Sequence, residues 1–258
     1  MKKLVLCVFV LSLVVTSCNK TEKEANASGD SFFEKVSDDY IKGYLNWRPQ
    51  NGVYLGLHEY DGKFPVYSKA SLASELKRLK EFDAKLSEID SASLSIKKYY
   101  DWKMLHSSIK NEIFSFEELK PYTKNPMTYA GAVDVNIYIK RNFAPIEQRI
   151  KSIIAIENKV PQFYEDAKAN LQDTLAIPHT QLAIEIAKGS ASFLEKDLLV
   201  ALKEVKNESL MKEFKAANKK AIQESIEHNM GKQRDAFADT MYEVMHGHPR
   251  SKTKESDK

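Results

Sequence analysis

Chemistry in this chain would have to come from few side chains, since its 258 residues hold six histidines and two cysteines. A zinc hydrolase built on one helix needs His-Glu-x-x-His. Residues i and i+4 then share a face, and the glutamate sits beside the metal-bound water. His58-Glu59 begins that pattern, but Gly62 stands where the second histidine belongs, and the surrounding glycines argue for a turn. His246-Gly247-His248 could grip a metal only weakly, with no third ligand in sequence reach. His106, His179 and His228 stand singly and read as capping or surface residues. No Gly-x-Ser-x-Gly elbow, supported Ser-x-x-Lys or glycine-rich phosphate loop occurs. Asp38-Asp39 and Glu117-Glu118 read as solvated helix charges. The expectation is no catalytic residue, no metal ligand and no cofactor in this chain.

Cys18 is the exception. Met1-Lys2-Lys3 is a short positive region, and Leu4 to Val15 is an apolar run interrupted only by Ser12. That run is too short to span a bilayer but suits a secretory signal. It closes with Val15-Thr16-Ser17-Cys18, which resembles the bacterial lipobox. Such a cysteine is acylated, the Ser17–Cys18 bond is cut, and several acyl chains together make a stable anchor. Cleavage would remove residues 1–17 and Cys7 with them. No disulfide could then form within the chain. Residues 18–30 read as a polar, flexible tether. Asn19 follows Cys18 where Asp would resemble an inner-membrane retention signal, so the resemblance implies the outer membrane of a bacterial envelope. The expected partner at this end is a lipid bilayer.

The elements that would position any site read as helices. Gly and Pro together make up 17 of 258 residues, about 7% against a typical ~12%, too few for the turns of a sandwich or barrel. Lys and Arg number 39 against 36 Asp and Glu, only six of the basic residues are Arg, and no basic block stands out. Nucleic acid is therefore excluded as a partner. Phe33, Val36, Tyr40 and Tyr44 recur at helical spacing until Pro49, Asn51 and Gly52. Ser68 can cap a helix with the stripe Leu72, Leu76, Leu79, Leu86 and Ile89. Ser93 or Ser95 opens another through Tyr99, Trp102, Leu105, Ile109 and Ile113. Residues 121–131 read as loop, and 135–139 as a short helix by context. Pro145 opens a helix, and Pro161 breaks or kinks it near Val160, with Phe163 to Leu171 continuing beyond. Pro178 starts the longest apolar stripe, Leu182, Ile186, Phe193, Leu194, Leu198 and Ala201. A final amphipathic segment runs from Asn207 to about Met245. Only 17 of the 56 residues from Lys203 onward are hydrophobic, so little core is expected there. The fold class is all-α: a single irregular multi-helix domain after a signal peptide and tether. Its body spans 31–202, and 203–258 forms an amphipathic helix and polar tail.

Several stretches carry a resemblance in chain order. Gly56-Leu57-His58-Glu59-Tyr60-Asp61-Gly62-Lys63-Phe64-Pro65, ending at Ser68, is similar to the N-terminal signature of the bacterial domain of unknown function 885. Asn125-Pro126 with Tyr129, Arg141-Asn142-Phe143-Ala144-Pro145, Val160-Pro161-Gln162-Phe163, Ala167 to Leu171, and Pro178-His179-Thr180 with Ala183 and Gly189 follow. Val66 departs from the Asp common after that proline. Members are commonly about twice this length, helical and often lipoproteins, and their C-terminal half carries a metallopeptidase-like zinc motif. The resemblance implies zinc in full-length relatives and assigns none of its ligands here. It makes Gly56, His58, Tyr60 and Asp61 a candidate cleft loop. The chain then reads as a lipid-anchored equivalent of the family's N-terminal half, a truncated or split form inactive alone. Its expected partner is a separate C-terminal half or a peptide ligand. The alternative is a free-standing peptide- or protein-binding outer-membrane lipoprotein.

Overall fold

The computed structural model describes residues 29–224. The signal peptide, Cys18, most of the tether, His228 and the His246–His248 pair lie outside the described residues. Within them every regular element is helical, as the composition requires. They divide into two compact units. One takes 29–44 and Glu75–Phe114; the other takes Leu45–Ser74 and the residues from Ser115 onward.

The first unit is built on three helices: α1 (29–47), which runs on into the second unit, most of α3 (Lys69–Ser87) and α4 (Ile96–Phe114). Phe33, Val36 and Tyr40 of α1 and Leu79, Phe82 and Leu86 of α3 are buried at the expected helical spacing. Ser68 caps α3 by accepting the Ser71 amide at 3.2 Å. The Tyr40 and Phe82 rings meet edge to face at 5.5 Å. Arg78 lies over both and makes a two-pronged bond to buried Glu75, at 2.8 and 2.7 Å.

The second unit holds the family-like stretches. After a one-residue break at Arg48, α2 (Pro49–Tyr54) begins. The first helix thus ends just before Pro49, as expected, but Pro49, Asn51 and Gly52 belong to a new helix. A first-turn proline has no amide to lose, so Pro49 starts the new helix instead. The stretch 121–131, expected as loop, winds into α5 (Pro121–Lys124) and α6 (Met127–Ala130), again opened by a proline. Next come α7 (Asn136–Lys140), α8 (Ile146–Glu157), α9 (Val160–Asn170) and α10 (Ile177–Ser192). A π-turn over Phe193–Asp197 leads into α11 (Leu198–Ala201), and α12 (Glu208–Gln223) follows.

Two details correct the expected core. Leu182 is 52% exposed, and α10 instead buries Thr180, Ala183, Ala187 and Ala191. Those small side chains let α10 approach α6, where Ala130, Ala183 and Ala187 form one apolar cluster. Past Lys203, α12 sends Leu210, Phe214, Ala217 and Ala221 into the core and packs on α8. Asn207 caps it by accepting the Leu210 amide at 3.1 Å.

Candidate functional site

The loop from Leu55 to Ser68 is built around two glycines in the left-handed region. Gly56 has φ +83° and Gly62 φ +69°, where a side chain would be strained. Between them His58–Tyr60 make one 3₁₀ turn. The Tyr60 side chain turns inward, leaving the residue 6% exposed, and presses on Gly52, where a Cβ would lie 2.5 Å from its ring. His58 and Asp61 turn the other way. His58 Nδ1 lies 3.1 Å from Asp61 Oδ2, and the imidazole stacks on Phe143 with ring centres 4.4 Å apart. The His58 side chain is half exposed and that of Asp61 14% exposed. Asp61 Oδ1 is buried without a hydrogen-bond partner.

The segment from Asp134 to Arg149 holds this loop in place. The Gly62 amide donates to the Tyr138 hydroxyl at 3.0 Å, and the Gly62 carbonyl accepts from Lys159 Nζ at 3.3 Å. Burial pushes the Tyr138 phenol up to about 12, so it stays neutral. Arg141 donates to the Tyr54 carbonyl at 3.1 Å, and the Tyr54 hydroxyl donates to Asp134 Oδ2 at 2.6 Å. Burial pushes Asp134 up, but bonds from Tyr54 and from the Asn136 backbone and side chain outweigh it and hold the carboxyl below its usual range. Burial and the same Asp134 bond push Tyr54 up to about 12.

Arg149 ties this segment together. It is 8% exposed, and its guanidinium donates to the carbonyls of Ala144 at 2.9 Å, Tyr138 at 2.6 Å and Arg141 at 3.2 Å, and to Asn142 Oδ1 at 3.3 Å. One charged group thus satisfies the irregular backbone between α7 and α8.

The far end of the loop enters an aromatic cluster. Tyr67 packs edge-on to Tyr122 at 5.0 Å and against Trp47 at 5.2 Å, while Phe64 meets Phe163 at 5.0 Å. Asn170 donates to the Tyr67 carbonyl at 2.6 Å and the Tyr129 hydroxyl at 3.2 Å, and Tyr129 donates to the Tyr122 carbonyl at 2.7 Å. Burial pushes the Tyr67 and Tyr129 phenols above their ordinary value.

Of the four candidate loop residues, the fold therefore brings two together at the surface, His58 and Asp61. Tyr60 is a core residue, and Gly56 makes the turn in open space, with nothing within 4 Å of where a Cβ would lie. Sequence reasoning does not single out Tyr54, Asp134, Phe143 or Arg149 as site residues. An arginine amid the isoleucines of α8 is the one signal that points toward them. His106, expected to stand alone, is 12% exposed, with Nε2 2.9 Å from Asp83 Oδ1 and 3.3 Å from Ser87 Oγ. Both contacts use one ring nitrogen, so the ring cannot relay a proton from Ser87 to Asp83 as a catalytic triad does. Among the described residues no three His, Cys, Asp or Glu side chains gather as a metal ion requires, and no helix is long and apolar enough to cross a membrane.

The described residues thus form an all-helical fold in which a loop turned by two glycines is held by Tyr138, Lys159 and Asn170. The family is shown by sequence. The chain belongs to the bacterial proteins of unknown function designated DUF885, whose family model matches residues 49–255. Among solved structures it is similar to a candidate lipoprotein of unknown function from Shewanella oneidensis, with TM-score 0.71 and 24% identity. That match covers 85% of this chain and 39% of the other, so the chain spans well under half the length of that relative. No curated protein matches it.

Proposed function

We propose that this chain is a lipid-anchored helical module of the bacterial envelope, held through acylated Cys18 at the outer membrane. Its Gly56–Ser68 loop forms one fixed wall of a peptide-binding cleft and does not itself cut what is bound. The observation that carries this reading is the outward His58–Asp61 pair, mounted on a loop whose backbone is tied at Gly62 from both sides. With Nδ1 held at Asp61 Oδ2, the Nε2 edge of the half-exposed His58 ring is the part left to meet a polar group of a peptide backbone. Phe143 beneath it adds an apolar surface.

Two observations support a binding role over zinc hydrolysis at this loop. Gly62 takes the place of a second histidine. The backbone there is a turn at φ +69°, so His58 and position 62 do not share a helix face. The likeness to 39% of a longer relative supports a wall completed by further polypeptide.

The test has separate arms. Labelled palmitate should enter the protein and be lost in Cys18→Ala; absence of label overturns the anchor. The purified chain should bind peptide libraries without turnover, weakened in His58→Ala. Equimolar zinc with chelator-sensitive peptidase activity overturns the non-catalytic reading.

A further inference from the structure

A second surface of the same unit lies far along the chain from the loop. α11, the turn after it and the first half of α12 line a groove of about 690 Å³. A neighbouring cavity of about 300 Å³, between the π-turn's Glu195 and the second half of α12, shares Leu199 and Lys215 with it. Together they follow α12 from Glu208 to Gln223, about 22 Å at 1.5 Å per residue. Leu199, Leu202, Met211 and Ile222 give it an apolar lining, and Leu199 is 37% exposed.

Its border is basic. Lys212, Lys215 and Lys219 are exposed and recur at i, i+3 and i+7, so they form a row along one side of α12. Among the described residues no carboxylate pairs with any of the three. Glu195 and Glu208 also border the groove. Asn218, 3% exposed, lines it as well: its amide donates to the Leu194 carbonyl at 2.9 Å, which leaves Oδ1 buried without a donor.

We propose that this groove is the docking site for an amphipathic helix of a partner polypeptide, apolar on one face and lined with carboxylates along its flank. A compact ligand would leave most of a groove this long empty. A helix of about 15 residues matches its length and can lay its apolar face on the lining. Glutamates at i, i+4 and i+7 of such a helix would meet the lysine row at successive turns. The inference is independent of the lipid anchor and of the His58–Asp61 loop.

The experiment uses the full mature chain carrying Cys18→Ser and two fluorescent helical peptides with the same Leu/Met face. One carries Glu along the flank and the other Lys. The Glu peptide should bind roughly tenfold or more tightly than the Lys peptide, with affinity falling as salt rises. The double variant Lys212→Glu, Lys215→Glu should invert that preference while its thermal melt stays unchanged, because both side chains are exposed. Equal binding of the two peptides overturns the proposal, as does binding of neither. A carbodiimide cross-link from Lys212 or Lys215 to Asp235, Asp239 or Glu243 of the same chain would show the groove covered from within, which also overturns it.

Discussion

The Gly62 amide and the Tyr138 hydroxyl, 76 residues apart in sequence, meet at 3.0 Å inside the second unit. This contact fixes the middle of the candidate cleft loop to α7, and two properties of Gly62 make it hard to replace. Its φ of +69° disfavours a side chain, and an added Cβ would lie 3.2 Å from Ala155 and 3.3 Å from Ser152. Gly62→Ala should therefore cost about 1–3 kcal/mol, read as a lower urea midpoint. Tyr138→Phe should cost a similar amount, because it strands a buried amide. Alanine keeps the amide, but its Cβ pushes the backbone off Ala155 and Ser152 and away from the Tyr138 hydroxyl, so the double variant should lose less than the sum. Full additivity would show that the two residues act separately.

Arg149 supplies the other half of the clamp. Four acceptors converge on it, three of them main-chain carbonyls that have no regular helix or sheet to use. Arg149→Met keeps the aliphatic volume and removes every one of those bonds, so it should destabilise the protein by about 3 kcal/mol or more. Arg149→Lys should rescue little, because an ammonium cannot span the same fork. Amide hydrogen exchange should accelerate first between Tyr138 and Ala144, where the freed carbonyls lie. Uniform acceleration across the chain would argue against a local clamp.

How much of this was legible in the sequence depends on what kind of force sets each feature. Periodic burial writes itself into sequence, so the Phe33, Val36, Tyr40 stripe and the Leu79 to Leu86 stripe appear where spacing put them. Long-range polar clamps leave no such period. Nothing about Tyr138 or Asn170 in isolation says that one meets Gly62 and the other Tyr67. The expected α10 stripe holds at Ile186, Leu194 and Leu198 and misses at Leu182 and Ala201, for a third reason. Hydrophobicity favoured Leu182, but close approach to α6 selects small residues, so the alanine face won. Leu182→Gln should accordingly change stability by less than about 0.5 kcal/mol. Ala187→Leu should cost about 1–3 kcal/mol by overpacking. Thermal melts of the two variants check the assignment, and the reverse ranking would restore the leucine face.

Glu157 poses the sharpest energetic question in the fold. It ends α8 fully buried, and neither carboxylate oxygen has a hydrogen-bond partner. Burial pushes its carboxyl from 4.5 up to about 8, so at neutral pH the folded protein holds it largely protonated. The unfolded chain releases that proton near pH 4.5, and the released state gains on the folded one as pH climbs. Glu157's contribution is therefore fully present below about pH 4.5 and is lost progressively up to about pH 8, where the folded form ionises as well. Each pH unit in that window is worth roughly 1 kcal/mol. Glu157→Gln keeps the shape and cannot ionise, so it should gain stability relative to the parent across the window and match it most closely at its acid end. Urea melts of both proteins at pH 5, 6, 7 and 8 measure the difference directly. A constant gap between them would mean that Glu157 is ionised or solvated in the folded state. A gap that widens with pH would show a neutral acid inside the α8 core.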